Sequence, residues 1–274
     1  MTTPVKLAAF AAVLALAFGA AALAGGAVGP LHDPAAATAE DGMSMAADPI
    51  RGLAVSENGL TLDLARRTAQ RDGAFRLDFR ILGEDGRAVR DFDVEHTKRM
   101  HLIVVRRDLT GFQHLHPILR PDGTWTTPLT LPQSGTYRVF ADFSVDGKPT
   151  TLADDLQVDG AVRSRALPAP ARSAETDGFS VGLTDGVVHA GEESELTFAV
   201  TRNGKRVSLQ DYLGAKGHLV ALREGDLAFL HVHPDADSLR FEAAFPNAGR
   251  YRLFLQFRIA DRVHTAAFTL EVSR

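Results

Sequence analysis

Short runs in which apolar and polar residues alternate recur along most of this chain, with turn residues between them. Residues 75–81 alternate before Glu84-Asp85-Gly86, and residues 194–201 alternate before Asn203-Gly204, which is a strong two-residue hairpin signal. Long segments with a 3.6-residue apolar period are missing beyond the N-terminal region. Several strands per hundred residues, with frequent turns, predict an all-β protein built from sandwich domains.

The chain carries its late-strand pattern in two copies, each with the length of a whole domain. A proline, a glycine, a tyrosine, an arginine and two phenylalanines recur at identical spacing. They are Pro132, Gly135, Tyr137, Arg138, Phe140 and Phe143 in the first copy, and Pro246, Gly249, Tyr251, Arg252, Phe254 and Phe257 in the second. We therefore predict two tandem β-sandwiches, at 51–159 and 174–274.

The tyrosine of each copy lies just after a predicted tight turn, at the start of a late strand. This position resembles the tyrosine corner of immunoglobulin-like sandwiches, in which the hydroxyl bonds to the backbone a few residues upstream. We expect the hydroxyls of Tyr137 and Tyr251 each to make such a bond. Both tyrosines are interpreted as structural.

The N-terminal region predicts export. Lys6 precedes an uncharged apolar run over residues 7–31, and Ala22-Leu23-Ala24 offers the small side chains that a signal peptidase favours. The run is also long enough to span a bilayer as an anchor. Residues 1–31 are therefore a signal peptide or membrane anchor, and the protein is extracytoplasmic, either secreted or held at the cell membrane.

Two segments without periodicity are predicted linkers. Residues 32–50 are rich in alanine with few apolar side chains of larger size, and they predict a flexible tether. Residues 160–173 combine proline, alanine and arginine, and they predict an extended, fairly stiff connection between the two sandwiches.

Composition excludes several classes of function. The net charge is −4 with both signs interspersed, so nucleic acid is not an expected partner. The absence of cysteine removes disulfides, iron–sulfur clusters, thiolate zinc sites and the sulfur ligand of blue-copper centres. No catalytic constellation stands out among known motifs, and we do not expect an enzyme.

Six of the ten histidines repeat one spacing, in which the second follows the first by 13 positions and the third comes two residues later. An antiparallel hairpin would place residue 101 opposite 116 and residue 103 opposite 114, so the three imidazoles of each copy share one face. Three imidazoles suit a copper ion or, as the alternative, zinc. The predicted metal ligands are His101, His114 and His116 in the first copy, and His218, His231 and His233 in the second.

Two other interpretations remain open. The repeated histidines would serve equally well in a structural hydrogen-bond network, because both copies descend from one ancestor. The predicted hairpin is also apolar on both faces, so the histidine face needs a cover. One hypothesis is that the two domains pack with these faces towards each other. The remaining histidines, which are His32, His96, His189 and His264, receive no role.

The histidine-containing segments 96–117 and 217–234 resemble a family of exported bacterial proteins of unknown function, related to YtkA-like and FixH-like domains. The resemblance covers nearly all of 51–274. It implies a signal or anchor, cupredoxin- or immunoglobulin-like domains, and a link to the handling of heavy metals, especially copper. It implies no activity, and the missing cysteine ligand means that electron transfer is not carried over.

Two functions are consistent with these features. The first is an extracytoplasmic metal-binding protein for delivery, buffering or sensing of copper, or of zinc, whose partner would be a metal-handling protein of the membrane or envelope. The alternative is a non-catalytic structural or protein-interaction module of the cell envelope whose histidines are structural. The sequence leaves the oligomeric state open.

Overall fold

A computed structural model describes Phe18 and residues 50–185, 188–230 and 232–274, with the backbone alone at Asp185 and His233. Apart from Phe18, the predicted export segment 1–31 lies outside the described residues, and so does the predicted tether 32–50 except for Ile50. Within the described part of the chain, no helix is long and apolar enough to cross a membrane.

Two five-stranded sheets form the first domain. Within each sheet, neighbouring strands in the order given are hydrogen-bonded to each other. One contains β1 (Ser56–Glu57), β2 (Leu60–Leu64), β4 (Phe75–Leu82), β8 (Trp125–Leu129) and β7 (Ile118–Leu119). The other contains β3 (Thr68–Ala69), β10 (Lys148–Val158), β9 (Gly135–Val145), β5 (His101–Arg106) and β6 (Gln113–Leu115).

The second domain repeats this two-sheet plan. One sheet contains β11 (Ser173–Thr176), β12 (Phe179–Asp185), β13 (Glu193–Arg202), β18 (Arg240–Ala244) and β17 (Val232–Pro234), with β14 (Lys205–Arg206) paired to β13. The other contains β16 (Phe229–Leu230), β15 (Gly217–Arg223), β19 (Gly249–Ile259) and β20 (Arg262–Val272). The predicted all-β fold class is thereby confirmed for the described residues between 50 and 274, whereas the predicted N-terminal helix falls on residues that are not described.

Alternation places the core of each sandwich between its sheets. Along β4, every second residue from Phe75 is buried and the residues between them are more exposed, as a half-wet strand requires. The tyrosine corners are also confirmed. The Tyr137 hydroxyl donates to the Gln133 carbonyl at 3.0 Å, and the Tyr251 hydroxyl donates to the Asn247 carbonyl at 2.8 Å.

Strand β5 departs from this pattern because all six of its residues are buried. One face packs into the core of its own sandwich, and the other belongs to a third apolar cluster to which both domains contribute. Phe112 stacks on Phe254 with ring centroids 4.0 Å apart, and Phe140 contacts Phe229 at 5.6 Å. The second domain is therefore the cover that the apolar histidine face needs, in agreement with the hypothesis of facing domains.

Candidate metal site

The β5–β6 hairpin sets the positions of the first two histidines. Leu102 pairs with Leu115 and Ile103 pairs with His114, which is the register that the sequence predicts. His101 precedes Leu102 on β5, and His116 follows β6 directly. Because side chains alternate between faces, the three imidazoles project from one face of the hairpin.

These three imidazoles converge. A ligating nitrogen from each of His101, His114 and His116 lies within 4.8 Å of the other two. His101 Nδ1 and His114 Nε2 are 3.0 Å apart, and the ring of His116 is centred 5.1 Å from His101 and 4.8 Å from His114. Bonds of about 2.0–2.1 Å to a tetrahedral ion would bring such nitrogens to roughly 3.4 Å from one another. The cluster therefore has nearly the dimensions of a three-histidine metal site.

Hydrogen bonds on the outer side of the cluster orient two of the rings. His101 Nε2 donates to the Glu95 carbonyl at 3.1 Å, and His114 Nδ1 lies 2.7 Å from Gln256 Oε1. The Gln256 amide nitrogen donates in turn to Thr265 Oγ1 at 3.2 Å. With the outer nitrogens protonated, His101 Nδ1 and His114 Nε2 present lone pairs to each other, a repulsive contact that a cation between them would relieve.

The third imidazole has an unmatched nitrogen. His116 Nε2 is shielded from solvent and has no hydrogen-bond partner among the described residues. A buried polar atom without a partner costs about 1–3 kcal/mol, so such atoms call for an explanation. One ring nitrogen of His116 completes the converging group with His101 and His114.

The histidines are neutral near pH 7, as metal ligands must be. Burial, with a smaller contribution from neighbouring charges, lowers the pKa of His101 to about 4, that of His114 to about 3 and that of His116 to about 4. Burial likewise lowers the pKa of His218 well below its usual value. Asp142 of β9 pairs with His101 of β5, and burial raises the pKa of Asp142 to about 6.

The second copy does not repeat the first in detail. Among the described residues its hairpin pairs Ala221 with Leu230, and the His233 backbone pairs with Glu242 of β18 in the other sheet. His231 and the side chain of His233 lie outside the described residues. The His218 ring is described, and it lies against the first domain's cluster, 4.8 Å from His114 and 5.4 Å from His101.

His96 also reaches this cluster, although the sequence did not point to it. Its ring is centred 6.0 Å from His101 and 5.7 Å from His218. His96 and Thr97 are the central residues of a tight turn closed by Glu95 and Lys98, and both have positive φ, at 46° and 67°. The sequence lacks the Asn-Gly signal of such turns, so the turn becomes evident only from the positive φ angles of His96 and Thr97 in the structure.

The other two described histidines lie elsewhere. His264 Nδ1 lies 2.7 Å from Asp177 Oδ2, and its ring packs on Phe179 and Phe257. His189 Nδ1 contacts the Ser273 hydroxyl at 2.9 Å. Both have local partners, as expected for histidines to which no site role was given.

Comparison with known proteins places this fold in a family without an assigned activity. A family model described as Domain of unknown function (DUF8832) matches residues 54–160 and 174–274. No curated protein matches the chain. No comparison names the YtkA-like or FixH-like domains, so that finer resemblance stays a prediction.

Several solved structures match this chain at low sequence identity and low TM-score. A Salmonella alpha-2-macroglobulin mutant is 12% identical over 82% of this chain and 15% of its own, with a TM-score of 0.29. The Escherichia coli adhesin FdeC is 14% identical over 81% of this chain and 66% of its own, with a TM-score of 0.28. Fibronectin(III)-like modules of Clostridium thermocellum CbhA are 12% identical over 78% of this chain and 94% of their own, with a TM-score of 0.23.

Proposed function

We propose that this chain, which belongs to the DUF8832 family, binds a metal ion through His101, His114 and His116. The observation that carries the proposal is the buried, partnerless Nε2 of His116 beside two imidazoles whose inner nitrogens are 3.0 Å apart. A hydrogen-bond network can pair the nitrogens of His101 and His114 but leaves His116 Nε2 without a partner, whereas an ion can bond to all three imidazoles.

Copper is the preferred ion and zinc is the alternative. Neutral imidazoles bind both, and a given nitrogen site generally binds Cu²⁺ more tightly than Zn²⁺. Without a thiolate in the chain, electron transfer of the blue-copper kind is not proposed. The predicted export segment favours a role outside the cytoplasm in metal delivery, buffering or sensing, with an envelope metal-handling protein as the partner.

A structural role is the second candidate, and the amide of Gln256 is the observation that favours it. With its oxygen and nitrogen exchanged, this amide would donate to His114, and His114 Nε2–H would donate to His101. An unbroken chain of hydrogen bonds would then run from Thr265 to the Glu95 carbonyl. His116 Nε2 remains without a partner in either orientation, and this favours the metal site.

Metal content tests the proposal directly. The purified chain, dialysed against Cu²⁺ and then against buffer, is expected to retain about one equivalent by elemental analysis. The double variant His114→Ala with His116→Ala should retain none, because two of three ligands are lost. His189→Ala is the matched control, since this histidine lies outside the cluster, and its metal content should equal that of the parent. A parent chain without bound metal would contradict the proposal.

Gln256→Glu separates the two candidate functions. A carboxylate only accepts hydrogen bonds when ionised, so it holds the proton on His114 Nδ1 and leaves Nε2 free for an ion. Under the metal hypothesis this variant keeps its equivalent of copper. Under the structural hypothesis the network is broken and no metal appears in either the parent or the variant.

A further inference from the structure

We infer that the ion site is shared between the two domains, with His218 of the second domain supplying a further ligand to the ion held by the first. This inference rests on the proposed metal function. It differs from the sequence-based expectation of one separate three-histidine site in each domain.

Proximity is the first support. The His218 ring is centred 4.8 Å from His114, the same separation that joins His114 to His116. It also lies parallel to His101, with an interplanar angle of 6° and a centroid separation of 5.4 Å. By ring separation, His218 lies as close to His114 as His116 does, although it comes from another domain and its nitrogens are not among the three that lie within 4.8 Å of one another.

The second support is that the surrounding face of the second domain is already fixed against the first. His218 pairs with Gln256 on β19, and the Gln256 side chain reaches across the interface to His114 at 2.7 Å. Two residues away on the same face, Phe254 stacks on Phe112 at 4.0 Å. The imidazole of His218 is therefore held beside the cluster, and a reorientation of its ring would direct a nitrogen at the ion.

A site built from both domains couples metal binding to their contact. An ion that bonds to His101, His114 and His116 on one side and to His218 on the other acts as a clamp. Anything that weakens the contact between domains must then weaken the affinity for the ion, and the ion must strengthen that contact by the same free energy.

Copper titration of the full chain tests the ligand assignment. The chain and its His218→Ala and His218→Gln variants are titrated with Cu²⁺ in competition with a chromophoric chelator, and their folding is checked by circular dichroism. We expect one equivalent of Cu²⁺ in each case. The dissociation constant for Cu²⁺ should rise at least about 10-fold in both variants, because losing a residue that only orients a ligand already costs about 10–100-fold in affinity. Pulsed electron paramagnetic resonance should count one imidazole fewer on the bound Cu²⁺ in the variants.

The outcomes separate this inference from the function on which it rests. Unchanged affinity and an unchanged imidazole count in folded His218 variants would overturn the shared site and leave the three-histidine function intact. A parent chain that binds no copper would overturn the function itself. The His189→Ala control should match the parent in both measurements.

A matched pair of leucine variants tests the clamp. Leu222 belongs to the apolar cluster between the domains, whereas Leu253 lies in the core of the second domain. Leu222→Ala should raise the dissociation constant for Cu²⁺ several-fold, and Leu253→Ala should leave it within about twofold of the parent. Equal effects of the two variants, or no effect of either, would contradict the coupling.

Discussion

The two domains have the same architecture but contribute differently to their junction. In both, a strand carrying the first histidine pairs with a hairpin arm on one side and with the late strand on the other. The first domain brings His101, His114 and His116 together, whereas the second is seen to deliver His218 into that same cluster. Both copies of the duplicated domain thus place histidine side chains in or beside the same cluster.

The copies share the tyrosine corners and the interface phenylalanines Phe140 and Phe254, but they differ at another position of the junction. Both tyrosine corners are kept, with hydroxyl-to-carbonyl distances of 3.0 and 2.8 Å. At the junction, Asp142 of the first domain takes the place of Gln256 of the second, each bonded to a threonine on the neighbouring strand. The core requires the same residues in both copies, whereas the two sides of a shared site can carry different residues.

The largest expected effect concerns the two aligned phenylalanines of the interface. Phe140 packs on Phe229 and Phe254 packs on Phe112, so each domain's late strand meets the other domain's hairpin. Phe140→Ala and Phe254→Ala should each lower the free energy of unfolding by about 3–5 kcal/mol, as is usual for buried phenylalanines. Urea denaturation followed by circular dichroism measures both losses.

Fluorescence of Trp125 sharpens that test, because the chain's one tryptophan lies in the core of the first domain. If the domains stabilise each other through the interface, both variants should lower the fluorescence midpoint as well. A Phe254→Ala variant with an unchanged midpoint by Trp125 fluorescence would show that the first domain is stable without its neighbour.

The next effect concerns acid. The pKa of His101 is about 4 in the folded protein and about 6.5 in an unfolded chain, so the unfolded state binds more protons between these values. The stability contributed by the neutral ring is complete above about pH 6.5 and is lost as the pH falls towards 4, with an upper value of about 3 kcal/mol for His101. The metal-free protein should therefore be markedly less stable at pH 4.5 than at pH 7 in urea denaturation.

Comparison with His101→Gln isolates the histidine contribution, because glutamine does not titrate. The variant should lose less stability than the parent over the same pH range. Equal losses in parent and variant would mean that groups outside the cluster dominate the acid response.

The smallest effect compares the two tight turns that precede the histidine strands. His96 and Thr97 occupy positive φ in the first domain, where the second domain has Leu213 and Gly214, at 57° and 85°. A left-handed conformation costs a non-glycine residue roughly 1–2 kcal/mol, part of which the greater freedom of unfolded glycine offsets. Thr97→Gly should stabilise the protein by up to about 1 kcal/mol, and Gly214→Thr should destabilise it by a similar amount or more.

Thermal unfolding of the metal-free protein measures both turn variants. Destabilisation by Thr97→Gly would show that the threonine side chain contributes contacts that outweigh its backbone strain. The two turns approach each other, since a Cβ added at Gly214 would lie 3.6 Å from Thr97 Cγ2. Their effects are therefore best measured singly.

Local patterns in the sequence were sufficient for the all-β class, the hairpin register and both tyrosine corners. The register of β5 against β6 follows from the period-two alternation and the turn between them, so His101 and His114 could be placed on one face without any coordinates. The apolar character of both faces of that hairpin also indicated that something must cover it.

The tertiary structure decided what the local patterns do not encode. His218 joins the first domain's cluster, Gln256 bonds to His114 across the interface, and His96 arrives on a turn that carries no glycine signal. Strand β17 also pairs with β18 in the other sheet, which alternation alone does not predict. Backbone periodicity determines which face of a strand a side chain occupies, but contacts between residues more than a hundred positions apart depend on how two finished surfaces dock. That docking is set by the summed packing of both domains rather than by any one segment.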